Sequence, residues 1–302
     1  MGLFFLPLLT ACDQTPSSDD LVEKDGLYYE KDSDAPYTGE VEDHYDEGKR
    51  KLKEKGTYKD GKKEGPYFSK YENGQLKEKG ILRDGEKDGP YEEYFKNGQL
   101  KFKGPYNHGQ KEGAWEQFHK NGQLYWKAVY KIYSILSTTT GTSHKIGRPE
   151  GVYETFYENG QLWNKGVYKD GKKDGPWASY YDNGQLASKG TYKDGKVEGP
   201  QEGYYENGQL ESKGTYKDGG WEGPMEVYYE NAQLKTQGTF KNGKEEGLWV
   251  FLNKDGTKDK EKSGTYRDGK KVSDWSPPLS PNPHSTPASY LVDDIERALH
   301  RT

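Results

Sequence analysis

The sequence predicts an all-β chain: an elongated single-layer antiparallel meander of about nine 24-residue β-hairpin repeats, followed by a short C-terminal helix. Three observations carry this expectation. First, the leucine of a recurring N-G-Q-L word stands at 52, 76, 100, 124, 162, 186, 210 and 234, and the glycine of an E-G-P word at 39, 65, 89, 113, 151, 175, 199, 223 and 247. A fixed period of this length is the mark of a repeat architecture. Second, each period carries two turn signals, an Asn-Gly such as 73–74 and an Asp-Gly such as 60–61. Third, 30% of the 302 residues are hydrophobic, yet there are 26 tyrosines and 39 glycines. That is too few apolar residues for a thick two-layer core and too many rings for a disordered polymer.

The chain opens MGLFFLPLLTACDQ. Its short apolar run ends in Leu9-Thr10-Ala11-Cys12, which resembles a bacterial lipobox, so residues 1–12 are read as a lipoprotein-type signal segment with Cys12 as the lipidated residue. The run is far shorter than the roughly 20 residues that span a bilayer. No Lys or Arg precedes it, and an incidental cysteine is the competing reading. An acyl anchor, worth about 0.8 kcal/mol per buried CH₂, would hold the chain in the cell envelope as a membrane-anchored lipoprotein facing the periplasm or exterior. Residues 13–36 read as an acidic spacer.

From 37 to 275 the repeats form the ribbon. Asn-Gly is the strongest short cue for a type I′ turn, in which both central residues need positive φ. The segments between turns are rich in Tyr, Phe, Trp and Thr, as strands prefer. With a two-residue loop at Asn73-Gly74, Tyr71 should oppose Leu76 and Tyr67 should oppose Gly80. The same rule pairs Tyr91 with Gly104, Tyr153 with Gly166, Trp177 with Gly190, and Trp115 with Ala128. A ring can lie across the bare backbone of a strand glycine and restore its packing. Tyr180, Tyr204 and Tyr228 point to the opposite face, because strand side chains alternate.

The words Y-Y-E-N-G-Q-L, K-G-T-Y-K-D-G and E-G-P, covering about 37–275, resemble the MORN-repeat family in its bacterial variant form. The resemblance implies scaffold, dimerising or binding modules, and some bacterial variants are antitoxins paired with a toxin. It brings no catalytic residues to this chain.

One leucine step is 38 residues long, because about fourteen extra residues lie within 132–149. This stretch reads as a loop insertion: either a recognition finger carrying His144, Lys145 and Arg148, or an insertion that loop-closure entropy tolerates. The lysines of the K-D-G-K-K-E turns are balanced by neighbouring acids, and a solvated edge is the better reading than a lipid-binding one. Residues 276–302 read as a Pro-rich linker and an amphipathic helix with Leu291, Ile295 and Leu299 on one face.

A net charge of −5 gives no footprint for nucleic acid. The six histidines are scattered without metal-ligand spacing, and Cys12 alone permits no intrachain disulfide. No cofactor, metal or catalytic residue is expected. The leading expectation is a non-enzymatic, envelope-tethered scaffold that binds a protein through its exposed tyrosines and the 132–149 stretch, with cell-wall material as another ligand. The alternative is an antitoxin or immunity protein that neutralises a toxin. A hydrolase would need a unique residue cluster, which the sequence does not offer.

Overall fold

A computed structural model describes residues 15–45, 51–136 and 142–276. The lipobox with Cys12 and the expected helix at 288–300 lie outside these residues. The chain divides into two compact units, 1–150 and 151–302. In each, antiparallel strands follow one another in chain order, and a 3-10 turn at Ser18–Asp20 is the only helical element among the described residues.

The second unit shows the repeat at its most regular. Hairpins run Leu162–Lys169 with Lys172–Tyr180, Leu186–Lys193 with Lys196–Tyr204, Leu210–Lys217 with Gly220–Tyr228, and Leu234–Lys241 with Lys244–Phe251. Each hairpin pairs with the next. The first unit repeats the plan from Gly39–His44 and Leu52–Lys59 up to Gly113–Phe118 and Leu124–Leu136.

The two turn words behave differently. Asp60 and Gly61 both have positive φ, 48° and 78°, which is the expected type I′ geometry. At Asn73-Gly74 only Gly74 is left-handed, at 85°. Its amide donates to the Tyr71 carbonyl and the Tyr71 amide donates to the Gln75 carbonyl, both at 2.8 Å, closing a type I turn with a glycine bulge. Leu76 therefore faces Lys70, not Tyr71 as expected from a two-residue loop. A register shift between Ser69 and Lys70 absorbs the difference, and Tyr67 faces Gly80 as expected.

Most of the repeated words are used to join neighbouring repeats. The hydroxyl of Tyr181 donates to the Tyr204 carbonyl at 2.7 Å, and Tyr71, Tyr157, Tyr205 and Tyr229 make the same bond one repeat ahead. Asn183 Nδ2 donates to the Glu206 carbonyl at 3.2 Å, while its Oδ1 accepts from the Gln185 amide at 2.8 Å. On the opposite edge the glutamate of E-G-P accepts from the next Asp-Gly turn, as Glu198 does from the Asp218 amide at 2.8 Å. Stability is thus passed from repeat to repeat, as in other solenoid-like arrays.

One face of the sheet holds the packed rings. Tyr67, Tyr91, Trp115 and Trp249 are buried there. A Cβ at Gly166 would overlap the Trp177 ring, and one at Gly104 would overlap Trp115. Glycine is required there because the ring occupies the side-chain space.

Two expected irregular segments are structured. Residues 21–24 and 27–30, part of the expected acidic spacer, form a hairpin about Asp25-Gly26. Leu21 packs with Val41 and Tyr58, joined by Tyr28 and Tyr37. The Tyr28 amide donates to the Gly61 carbonyl at 2.8 Å. The acidic residues masked an apolar pattern that caps the first repeat. The 132–149 insertion is mostly strand and not loop: Leu124–Leu136 and Ser143–Phe156 run 13 and 14 residues, against eight and nine in the hairpin that follows. The apolar Ile132, Tyr133, Ile135 and Leu136 continue the strand. Residues 137–141 lie outside the described set.

Candidate functional site

Because the repeated polar groups are engaged in joining repeats, the freest positions lie on the face opposite the packed rings. Strand alternation places the proline of E-G-P there with its cross-strand partner. In the first unit these pairs are Pro66 with Ile81, Pro90 with Pro105, and Ala114 with Val129. Ile81 and Val129 are 39% and 48% exposed. Around Ile81 the strip opens into a groove of about 630 Å³, lined by Pro66, Phe68, Leu76, Pro90, Lys79 and Lys55. In the second unit the pairs are Val152 with Val167, Pro176 with Thr191, Pro200 with Thr215, and Pro224 with Thr239. A groove of about 430 Å³ lies over Val167, Pro176 and Pro200.

Ion pairs flank the strip. Lys79 meets Glu92 at 2.8 Å, Lys103 meets Glu116 at 2.8 Å, Lys189 meets Glu202 at 2.8 Å and Lys213 meets Glu226 at 2.9 Å. The hydroxyls of Tyr94, Tyr204 and Tyr228 donate to Glu92, Glu202 and Glu226. The Lys189 ammonium and the Tyr204 hydroxyl hold Glu202 below the usual carboxylate range. Burial, then Glu202, pushes the Tyr204 hydroxyl up. These groups neutralise one another, so the face is apolar and polar in alternation with little net charge.

The tyrosines singled out from the sequence sit on this face. Tyr180, Tyr204 and Tyr228 are half-buried, one per repeat, in the second unit. His144 and Lys145 are exposed on the long strand Ser143–Phe156, and Arg148 is half-buried there, all in the first unit. His144 Nε2 lies 3.1 Å from Thr142 Oγ1. Gly147 packs on the Lys111 backbone and its amide donates to Gln110 Oε1 at 3.3 Å.

Sequence reasoning missed the strip itself. Pro66 and Pro90 were visible as part of a repeated word, and their face follows from the pairing of Tyr67 with Gly80 and Tyr91 with Gly104, but their gathering with Ile81 into one groove depends on the packing of neighbouring strands. It also missed the box around Lys111, whose ammonium lies 4.2 Å from the Trp115 ring, 5.4 Å from Phe102, and 5.5 Å from both Trp126 and Tyr130. Burial lowers the pKa of Lys111 against the opposing pull of Glu93. Among the described residues no group of three His, Cys, Asp or Glu side chains could hold a metal ion.

Comparison with known proteins adds one match. The MORN repeat variant model fits seven segments: 63–83, 87–108, 111–131, 149–170, 173–194, 197–218 and 221–242. No curated protein matches the chain. The seven segments span half the sequence and coincide with the hairpins described above, so the chain belongs to the MORN repeat variant family.

Proposed function

We propose that this chain is a non-enzymatic binding scaffold, tethered to the cell envelope through Cys12, that takes a protein partner in the groove around Ile81. The observation that carries this reading is the apolar strip of Pro66, Ile81, Pro90 and Pro105. Exposed apolar area framed by charged pairs is the usual composition of a protein-binding patch. The non-enzymatic reading is supported by the structural use of the repeated Tyr, Asn and Glu side chains. The tether is supported by Leu9-Thr10-Ala11-Cys12 alone.

The test is capture from native membranes with a C-terminally tagged chain, comparing the wild type with Ile81→Glu. One stoichiometric protein recovered by the wild type and lost with the variant is the expected result. If that protein is a toxin, the scaffold is a neutralising partner. Identical recovery by both chains overturns the groove. Separately, Cys12→Ala should move the protein to the soluble fraction; continued membrane association would sink the anchor.

A further inference from the structure

We propose that the second unit binds an uncharged linear β-1,4-linked polysaccharide along a column of four rings: Phe156, Tyr180, Tyr204 and Tyr228. This reading goes beyond the protein-binding groove of the first unit and does not depend on it.

The four rings occupy one place in four successive repeats. Each opposes the ruler leucine that opens the next strand: Phe156 faces Leu162, Tyr180 faces Leu186, Tyr204 faces Leu210 and Tyr228 faces Leu234. Successive rings are two strands apart, which sets their spacing at about 9.6 Å. A β-1,4-linked polysaccharide is a flat ribbon in which every second sugar presents the same face. Its repeat therefore matches a hairpin pitch, with one ring under every other sugar. A folded protein partner has no need of identical rings at constant intervals.

The spacing is held rigidly. Tyr157, Tyr181 and Tyr205 donate from their hydroxyls to the carbonyls of Tyr180, Tyr204 and Tyr228 at 2.8, 2.7 and 2.7 Å. Bonds from Tyr204 to Glu202 and from Tyr228 to Glu226 fix those ring orientations. A site fixed before binding loses less entropy on ordering its ligand.

Charge selects the class of polymer. Lys165 pairs with Glu154 at 2.9 Å, Lys189 with Glu202 at 2.8 Å and Lys213 with Glu226 at 2.9 Å. The column is thus bordered by neutral pairs, which suit hydroxyl groups and offer no field for a polyanion. The adjoining groove over Val167, Pro176 and Pro200 supplies apolar contact for the carbon-bound faces of the sugars.

Calorimetry of the full chain against chitohexaose and cellohexaose tests this, with maltohexaose as an α-1,4-linked control. At least one β-1,4 hexasaccharide should bind, the control should not, and the matching disaccharide should bind at least about tenfold more weakly because it reaches one ring. Tyr204→Ala should weaken hexasaccharide binding about tenfold, while Tyr204→Phe, which keeps the ring, should bind as the wild type does. Tyr204→Lys provides a second ring-deleting variant, since Lys70 already fills the corresponding place opposite Leu76. Ile81→Glu should leave sugar binding unchanged. Absence of binding by both β-1,4 hexasaccharides overturns the proposal, as does equal binding of maltohexaose or full binding by both ring-deleting variants. Loss of the captured protein partner in Tyr204→Ala, without a change in sugar binding, would assign the column to a protein interface instead.

Discussion

The two units are written with the same words and differ most on their packed face. In the first unit one row across that face carries four acids, Asp43, Glu54, Glu78 and Glu93, with Ser69 between Glu54 and Glu78. Lys63 meets Glu54 at 3.2 Å, Lys87 meets Glu78 at 3.3 Å and Lys101 meets Glu93 at 2.5 Å. The Tyr91 hydroxyl donates to Glu78 and Glu93 at 2.9 and 3.2 Å. In the second unit the same row is small and neutral, with Ser179 2.6 Å from Ser188 and Asn164 2.9 Å from Thr155. Their strand ladders are nonetheless alike. The backbone words determine the sheet, and the intervening positions are left to diverge in charge, ring content and surface.

The ring positions sharpen the contrast. Trp115 is almost completely buried in the first unit and donates from Nε1 to the Pro105 carbonyl at 2.9 Å. The matching places in the second unit include Gln201 and Met225. There the ring has moved to Trp221, which lies against Gly214 and 4.0 Å from the Tyr216 centroid. Trp115→Ala should therefore cost about 3–5 kcal/mol. Met225→Ala should cost markedly less, because Trp221 already fills the space. Denaturant titration checks both, and equal losses would erase the distinction.

Alkaline stability should separate the units next. Burial raises the tyrosines, furthest in Tyr67 and Tyr91, with Glu78 reinforcing both. Both residues lie in the first unit. A folded-state pKa above the unfolded one means that the unfolded chain loses its protons first as pH rises. The stability is therefore complete below the unfolded tyrosine value near 10 and falls above it. Hydrogen exchange followed by mass spectrometry should show the first unit opening at a lower alkaline pH than the second. Simultaneous opening would contradict this.

Two smaller effects test the joints between repeats. Tyr181→Phe removes the bond to the Tyr204 carbonyl and should cost about 1 kcal/mol, with faster exchange confined to the neighbouring repeats. Ala232 occupies the place of the turn glycine with φ 65°, a left-handed conformation that is unfavourable for any residue with a Cβ. Ala232→Gly should stabilise the chain by about 1 kcal/mol. A loss of stability would show that the alanine makes a contact of greater value than the strain.

Much of this is legible in the sequence. The 24-residue period, the hairpins, and the pairing of Tyr67 with Gly80 or Trp177 with Gly190 follow from turn chemistry and strand alternation. The turn at Asn73-Gly74 was misread because an Asn-Gly pair serves both a type I′ turn and a type I turn with a glycine bulge, and only the hydrogen bonds of Tyr71 separate them. The capping hairpin at 21–30 was hidden by its acids, which all sit at solvent-facing places around Leu21 and Tyr28. The face that Tyr180, Tyr204 and Tyr228 occupy was legible because it follows from strand alternation. The groove around Ile81 was not, since it depends on how neighbouring strands place Pro66 and Pro90 together.

The bonds from each tyrosine hydroxyl to the next repeat's carbonyl also bear on inheritance. Every joint is made between one repeat and its successor, so a duplication or deletion of 24 residues leaves each surviving joint with a proper mate. A gene of this kind can change length by slippage between its own copies without passing through an unfolded product. In the second unit, each such event would lengthen or shorten the ring column by one rung. The reach of the surface would then be set by copy number, with no new contact to invent.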